Sequence, residues 1–132
     1  MLLIKTRSDT LRQVIDNCKH ATDSIPGEIK HGDIILISQT KKTLRKNQKS
    51  IGCLMHFDKI YEDLKNESDA LWGQHWRYII KGYDIQNIKN PFNIEDIQAS
   101  KKNYGPIVTH CSLLKEDEDA VQKYLLEKIS SN

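Results

Sequence analysis

The stretch Leu71-Trp72-Gly73-Gln74-His75-Trp76-Arg77-Tyr78 holds both tryptophans of the chain. Aromatic residues make up only 7% of the sequence, so their crowding here is informative. Trp72 precedes Gly73 in what reads as a loop, and Trp76 and Tyr78 fall on one face of a strand that begins there. Two large rings held close together can sandwich a planar base, each stack contributing about 1–3 kcal/mol. His75, Gln74 and Arg77 add groups able to meet a base edge or a phosphate. Packing into the core is the competing use of either ring. Tyr104, in Lys101-Lys102-Asn103-Tyr104, is a further loop aromatic beside two lysines. Basic residues interleaved with aromatics are what recognition of single-stranded or extruded bases needs.

Charge is unevenly spread although the net value is only +2. Residues 1–56 carry ten Lys/Arg against five Asp/Glu, and residues 57–132 carry ten against thirteen. The excess peaks at Lys41, Lys42, Arg45, Lys46 and Lys49, with no acid between Asp33 and Asp58. Such a run can neutralise phosphates and release counterions, or form a solvated loop.

Catalytic patterns are missing from the sequence. It contains no phosphate-binding G-x-x-x-x-G-K-[ST], no G-x-G-x-x-G, no H-E-x-x-H and no G-x-S-x-G. His110 and Cys111 are adjacent, and neighbours on a strand point to opposite faces, which makes them a poor nucleophile–base pair. His20, His31, His56 and His75 lack the spacing of zinc ligands. Asp58, Glu62 and Asp63 read as an acidic loop. The expectation is a protein that is not an enzyme and that holds neither metal nor cofactor.

Elements that would position these residues follow from periodicity. Leu2 to Thr6 reads as a strand, and Ser8 as the cap of a helix with Leu11, Val14, Ile15 and Cys18 on one stripe. Ile34-Ile35-Leu36-Ile37 does not alternate, which predicts a central strand covered on both faces. Further strands are expected from Ile51 to about Phe57 and from Trp76 to Tyr83, the latter continuing past a bend near Gly82 until Asn90-Pro91 stops it. Asn93 can cap a short helical turn, a short strand is expected over residues 105–109, and a last helix starts near Glu116. That helix places Val121, Tyr124, Leu125 and Ile129 on one face. Its acids, Glu116 to Asp119, sit where the helix dipole favours them, which accounts for the run without a functional role.

Length and composition bound the rest. A chain of 132 residues with 38% hydrophobic and 29% charged residues reads as one globular domain spanning 1–132. No apolar run approaches the roughly 20 residues that span a bilayer, and the opening Met-Leu-Leu-Ile is too short for a signal-peptide core. Cys18, Cys53 and Cys111 are odd in number and form no C-x-x-C, which fits a reducing compartment and a cytoplasmic location. Consecutive strands without intervening helices argue against a doubly wound sheet. They favour an α+β fold: a small mixed sheet, curled or closed into a barrel, with helices outside.

This layout resembles the PUA-like superfamily, in its EVE- and YTH-type branch. The matching pieces are Leu3-Ile4-Lys5-Thr6 and its helix, Gly32-Asp33-Ile34-Ile35-Leu36-Ile37, and Ile51-Gly52-Cys53-Leu54-Met55-His56-Phe57. Trp76-Arg77-Tyr78-Ile79-Ile80, Ile88-Lys89-Asn90-Pro91-Phe92, the Tyr104-Gly105 loop and the last helix complete it. The resemblance implies a curled sheet flanked by helices, with a pocket for a flipped, modified nucleobase. EVE-type domains are associated with modified DNA and modification-dependent restriction, and YTH-type domains with methylated adenine in RNA. By position, Ser38 and Gln39 would join Trp72, His75 and Trp76 in the pocket, and Lys41, Lys42, Arg45, Lys46 and Lys49 would track the phosphates. Read from the sequence itself, the Tyr104 loop adds Tyr104 as a base-binding candidate and Lys101 and Lys102 as phosphate-binding ones. Residues 16–31, where YTH-type cages hold a tryptophan, contain no aromatic, so the identity of the base stays open.

The expected partner is thus nucleic acid, modified DNA before RNA, bound without a membrane, by a chain that is stand-alone or one domain of a larger protein. A protein-interaction or regulatory domain, and a small nuclease or hydrolase, stand as the other readings.

Overall fold

The computed structural model describes residues 1–104 and 110–130, the last three by backbone alone. In chain order its elements are β1 (Leu2–Thr6), α1 (Ser8–Asn17), β2 (Lys19–Thr22), β3 (Ile34–Gln39) and β4 (Ile51–Glu62). Then come α2 (Glu67–Trp72), β5 (Tyr78–Phe92), α3 (Ile94–Ile97), β6 (His110–Ser112) and α4 (Lys115–Ser130). The six strands form one sheet in the order β2-β5-β4-β3-β1-β6. Among the described strands only β1 and β3 run parallel; every other pair is antiparallel.

The sheet curls far enough for its two edges to meet. Ser24, just past edge strand β2, has its Oγ 2.9 Å from Nε2 of His110 on the opposite edge strand. Curling is helped by β-bulges: register shifts interrupt β4 against β5 at three places and β3 against β4 at one.

Each sheet face has its own core. Leu3, Leu36, Leu54, Ile88 and Phe92 pack beneath Ile94 of α3 and Val121 of α4. Leu2, Ile4, Ile35, Ile37, Met55 and Ile80 pack on the other face with Val14 of α1. The unbroken apolar run of β3 is explained directly, because Leu36 faces one core while Ile35 and Ile37 face the other. The strand lies between β4 and β1, central as its pattern requires.

Several local expectations are corrected. Ser8 is the first helical residue of α1, and extended Arg7 holds the cap position, its carbonyl accepting from Thr10 and Leu11 N–H. β2 and α2 were not expected. β4 continues to Glu62, and β5 begins at Tyr78, so Trp76 lies before the strand. β5 passes through Pro91, whose missing N–H matters little one residue from the strand end. The strand expected over residues 105–109 lies outside the described residues. No helix among those described is long and apolar enough to cross a membrane.

Candidate nucleic-acid interface

β1 and β3 run side by side in parallel, and their ends open into one cavity. Their register sets Lys5 beside Ser38 and Thr6 beside Gln39. Alternation along β1 sends Leu2 and Ile4 to one core and leaves Leu3 and Lys5 on the other face. The cavity above that face has a volume of about 700 Å³, within the range of small-molecule sites. Leu3, Lys5 and Ser38 form its floor; Thr40, Lys41 and Ser50 line it beside Ile94, Glu95 and Gln98 of the α3 region. The segment 100–104 supplies Lys101, Lys102, Asn103 and Tyr104.

The 100–104 segment is held by one buried acid. Asp117, in the first turn of α4, is 0% exposed and accepts four hydrogen bonds. The donors are the Ala99 and Ser100 N–H groups (2.8 and 2.7 Å), the Ser100 hydroxyl and the Tyr104 hydroxyl (2.5 Å each). Burial alone would raise its pKa, but these donors outweigh burial and hold Asp117 below the ordinary carboxylate range. Tyr104 feels the reverse: burial and the Asp117 carboxylate push its hydroxyl up to about 12. Its ring walls the cavity while its hydroxyl is turned to Asp117. Gln98 Nε2 donates to the carbonyls of Ser100 and Lys102, fixing the segment from its other end.

Lys5 is the deepest cation. Its Nζ donates to the Tyr104 carbonyl, and burial lowers its pKa, with the Lys41 charge lowering it further. Lys41 pairs with Glu95 at 2.5 Å; burial opposes ionisation of Glu95, but the Lys41 hydrogen bond prevails and lowers its pKa. Among the described residues Glu95 is the one acid lining the cavity, against four lysines. Ser38 is buried and lines the cavity beside Lys5.

The expected site residues divide into two places. Ser38, Gln39, Lys41, Lys101, Lys102 and Tyr104 come together around the cavity. Trp72, His75 and Trp76 do not line it, so the arrangement expected from sequence, two tryptophans and Ser38 around one concavity, is not the one observed. Trp72 ends α2 and packs half-buried against the core that contains Val14. Trp76 donates its backbone N–H to Ser68 Oγ, and His75 lies 3.4 Å from Asp69. The physical reason is α2: a six-residue helix, begun by N–H bonds from Glu67 and Ser68 to buried Asp63, turns Trp72 inward.

Gln39 also differs from its expected role. Its Nε2 donates to the Thr43 carbonyl at 2.8 Å and its Oε1 accepts from Gln48, so it clasps the basic loop. Lys41 and Lys42 lie on a short 3-10 turn within that loop. Lys42, Arg45 and Lys46 are exposed and carry no ion pair among the described residues, whereas Lys49 lies 3.5 Å from Asp96. Sequence reasoning missed Lys5, Thr40, Ser50, Gln98, Asn103 and Asp117. Only the β1–β3 register and the fold of segment 98–104 bring them together. Among the described residues no group of three His, Cys, Asp or Glu could hold a metal ion.

Solved structures match this architecture over nearly its full length, three of them as follows. The crystal structure of ASCH from Zymomonas mobilis superposes with a TM-score of 0.64 at 15% identity, covering 92% of this chain and 93% of that one. A tyrosine-to-phenylalanine mutant of the same protein gives 0.63 at 14%, covering 92% and 96%. A serine-to-alanine mutant gives 0.63 at 14%, covering 93% and 94%. The chain has a PUA-like fold of the ASCH kind. At these identities the likeness establishes the fold alone. No family model matches the sequence, and no curated protein matches it.

Proposed function

We propose that the cavity over β1 and β3 binds a nucleotide unit of a nucleic-acid strand. The observation that carries this reading is the register of Lys5 beside Ser38 in a cavity lined by four lysines. Phosphate is the group that four convergent ammonium groups fit best, and 700 Å³ leaves room for a base and sugar beside it. Lys41, Lys101 and Lys102 hold the backbone at the rim, and Lys42, Arg45 and Lys46 extend the track. Ser38 and Asn103 meet the base edge. The finer form of the reading, EVE- or YTH-type recognition of a modified base, places the modification deep in the cavity, beside Leu3. The PUA-like fold supports it as a base-binding scaffold.

The site is read as a binding site and not a catalytic one. Its carboxylate, Glu95, is tied to Lys41, and no histidine lines the cavity among the described residues. The test is a fluorescence-anisotropy titration against single-stranded RNA and DNA, with and without modified bases, for wild type, Lys5→Met and Ser38→Ala. Both variants lose affinity for the preferred strand while their melting curves stay cooperative, and the strand remains intact on a gel. Unchanged affinity in both variants contradicts the site.

A further inference from the structure

Three lysines stand side by side across the sheet, away from the cavity. Lys19 of β2 is the register partner of Lys81 of β5, and Lys81 is in turn the partner of Lys59 of β4. Like charges directly opposite on neighbouring strands destabilise a sheet, so sheet pairing alone does not account for this row. Glu67 relieves one end only: it accepts from Lys19 Nζ at 2.6 Å and from the Tyr61 hydroxyl at 2.7 Å. Lys59 and Lys81 have no acidic partner among the described residues. Both Lys19 and Lys59 lie within 6 Å of the Tyr61 ring centre, at 5.9 and 5.8 Å. With Lys65, these side chains line a depression of about 330 Å³ in which four lysines face two acids, Glu62 and Glu67.

We propose that this lysine row is a second phosphate-binding surface, which engages the nucleic-acid backbone several nucleotides away from the cavity. The proposal rests on the nucleotide-binding reading of the cavity. Lys59 and Lys81, two ammonium groups without an acidic partner among the described residues, stand beside the Tyr61 ring, an arrangement suited to a phosphodiester and an adjacent base. Continuity comes from β4, which begins beside the cavity residue Ser50 and carries Lys59 near its other end. Nine strand residues span at most about 30 Å, a distance of roughly nine nucleotides at the 3.4 Å spacing of one duplex strand. A short oligonucleotide therefore reaches one surface, and a long one reaches both.

Two double variants separate the surfaces: Lys59→Gln/Lys81→Gln on the row and Lys41→Gln/Lys102→Gln at the cavity. Each is titrated with a 6-nucleotide and a 20-nucleotide single strand over a salt series. The row variant leaves 6-nucleotide binding unchanged and lowers the slope of log affinity against log salt for the 20-nucleotide strand by about 1.4, or 0.7 for each lost contact. Its melting temperature does not fall, because like-charge repulsion has been removed. An unchanged slope for the 20-nucleotide strand, with binding still weakened by the cavity variant, overturns the lysine row alone. If poly-glutamate then binds wild type but not the row variant, the surface serves an acidic protein partner. Loss of the 20-nucleotide slope in the row variant with no effect of the cavity variant keeps the row and overturns the cavity. Failure of wild type to bind either strand overturns both.

Discussion

The Tyr104 hydroxyl donates to Oδ2 of Asp117 at 2.5 Å, joining a residue that walls the cavity to the first turn of the last helix. The same hydroxyl accepts from the Leu114 N–H at 3.0 Å, so one side chain closes both the segment 100–104 and the start of α4. The cavity exists because this joint holds. Tyr104→Phe leaves the Leu114 N–H without its acceptor and removes one of four donors to Asp117. Its expected cost is about 1–3 kcal/mol, read by urea denaturation. Asp117→Ala strands more donors and costs more, at least about 3 kcal/mol.

Acid should act on the same joint. Asp117 and Asp63 both have folded-state pKa values below the ordinary carboxylate range: burial opposes ionisation of each, and hydrogen bonds outweigh it. A depressed folded pKa contributes stability that is complete above the unfolded value of about 3.9 and is lost as pH falls through the folded value. Unfolding midpoints in urea should thus be insensitive to Asp117 ionisation at pH 6 and fall as pH drops below about 4. Asp117→Asn should be less stable at pH 6 and show a flatter decline over that acid range. A parallel decline in both proteins would contradict the assignment.

Gly82 tests the packing of the curled sheet. A Cβ there would lie 2.5 Å from Met55 Sδ and 2.9 Å from the His56 carbonyl oxygen, and backbone cannot swing aside as a side chain can. Gly82→Ala should cost about 1–3 kcal/mol through overpacking, measured by thermal or urea melting. Gly52, which has open space where a Cβ would go, is the control: Gly52→Ala should change stability little.

Trp72 tests the separation of fold from site. Because it packs on the core and does not line the cavity, Trp72→Ala should lower stability by about 2–4 kcal/mol yet leave oligonucleotide affinity unchanged below the melting transition. A stable Trp72→Ala protein that has lost binding would return the tryptophans to the site.

The contrast between what was legible and what was not follows from the range of the interactions. The Leu11–Val14–Ile15 stripe and the unbroken Ile34–Ile37 run are local patterns with one physical solution each, and both were readable. β2 is only Lys19 to Thr22 and carries no alternation of apolar and polar residues; it is a strand because Lys81 to Tyr78 of β5 pairs with it. α2 depends on Asp63 accepting hydrogen bonds from Glu67 and Ser68, so an acid that resembled part of a solvated loop proved to start a helix. Asp117 was hidden in the same way. Its run of acids is explained by the helix dipole, and nothing in the spacing marks one of the four as buried. Ser38 was placed from the PUA-like resemblance and Tyr104 from its position as a loop aromatic beside two lysines; both line the cavity over β1 and β3. Lys5 belongs there only because the parallel β1–β3 register sets it beside Ser38, a relation that neither strand shows by itself.

The central claim is that the cavity over β1 and β3, and not the tryptophan segment, receives a nucleic-acid strand. Chemical-shift mapping tests it most directly: ¹⁵N-labelled protein is titrated with a short single-stranded oligonucleotide, and the backbone amide shifts are assigned by residue. The account predicts that the largest changes fall on Lys5, Ser38 to Lys41 and Gln98 to Tyr104, with Trp72 to Trp76 nearly still. Changes centred on Trp72 to Trp76, or none anywhere at millimolar oligonucleotide, would contradict it.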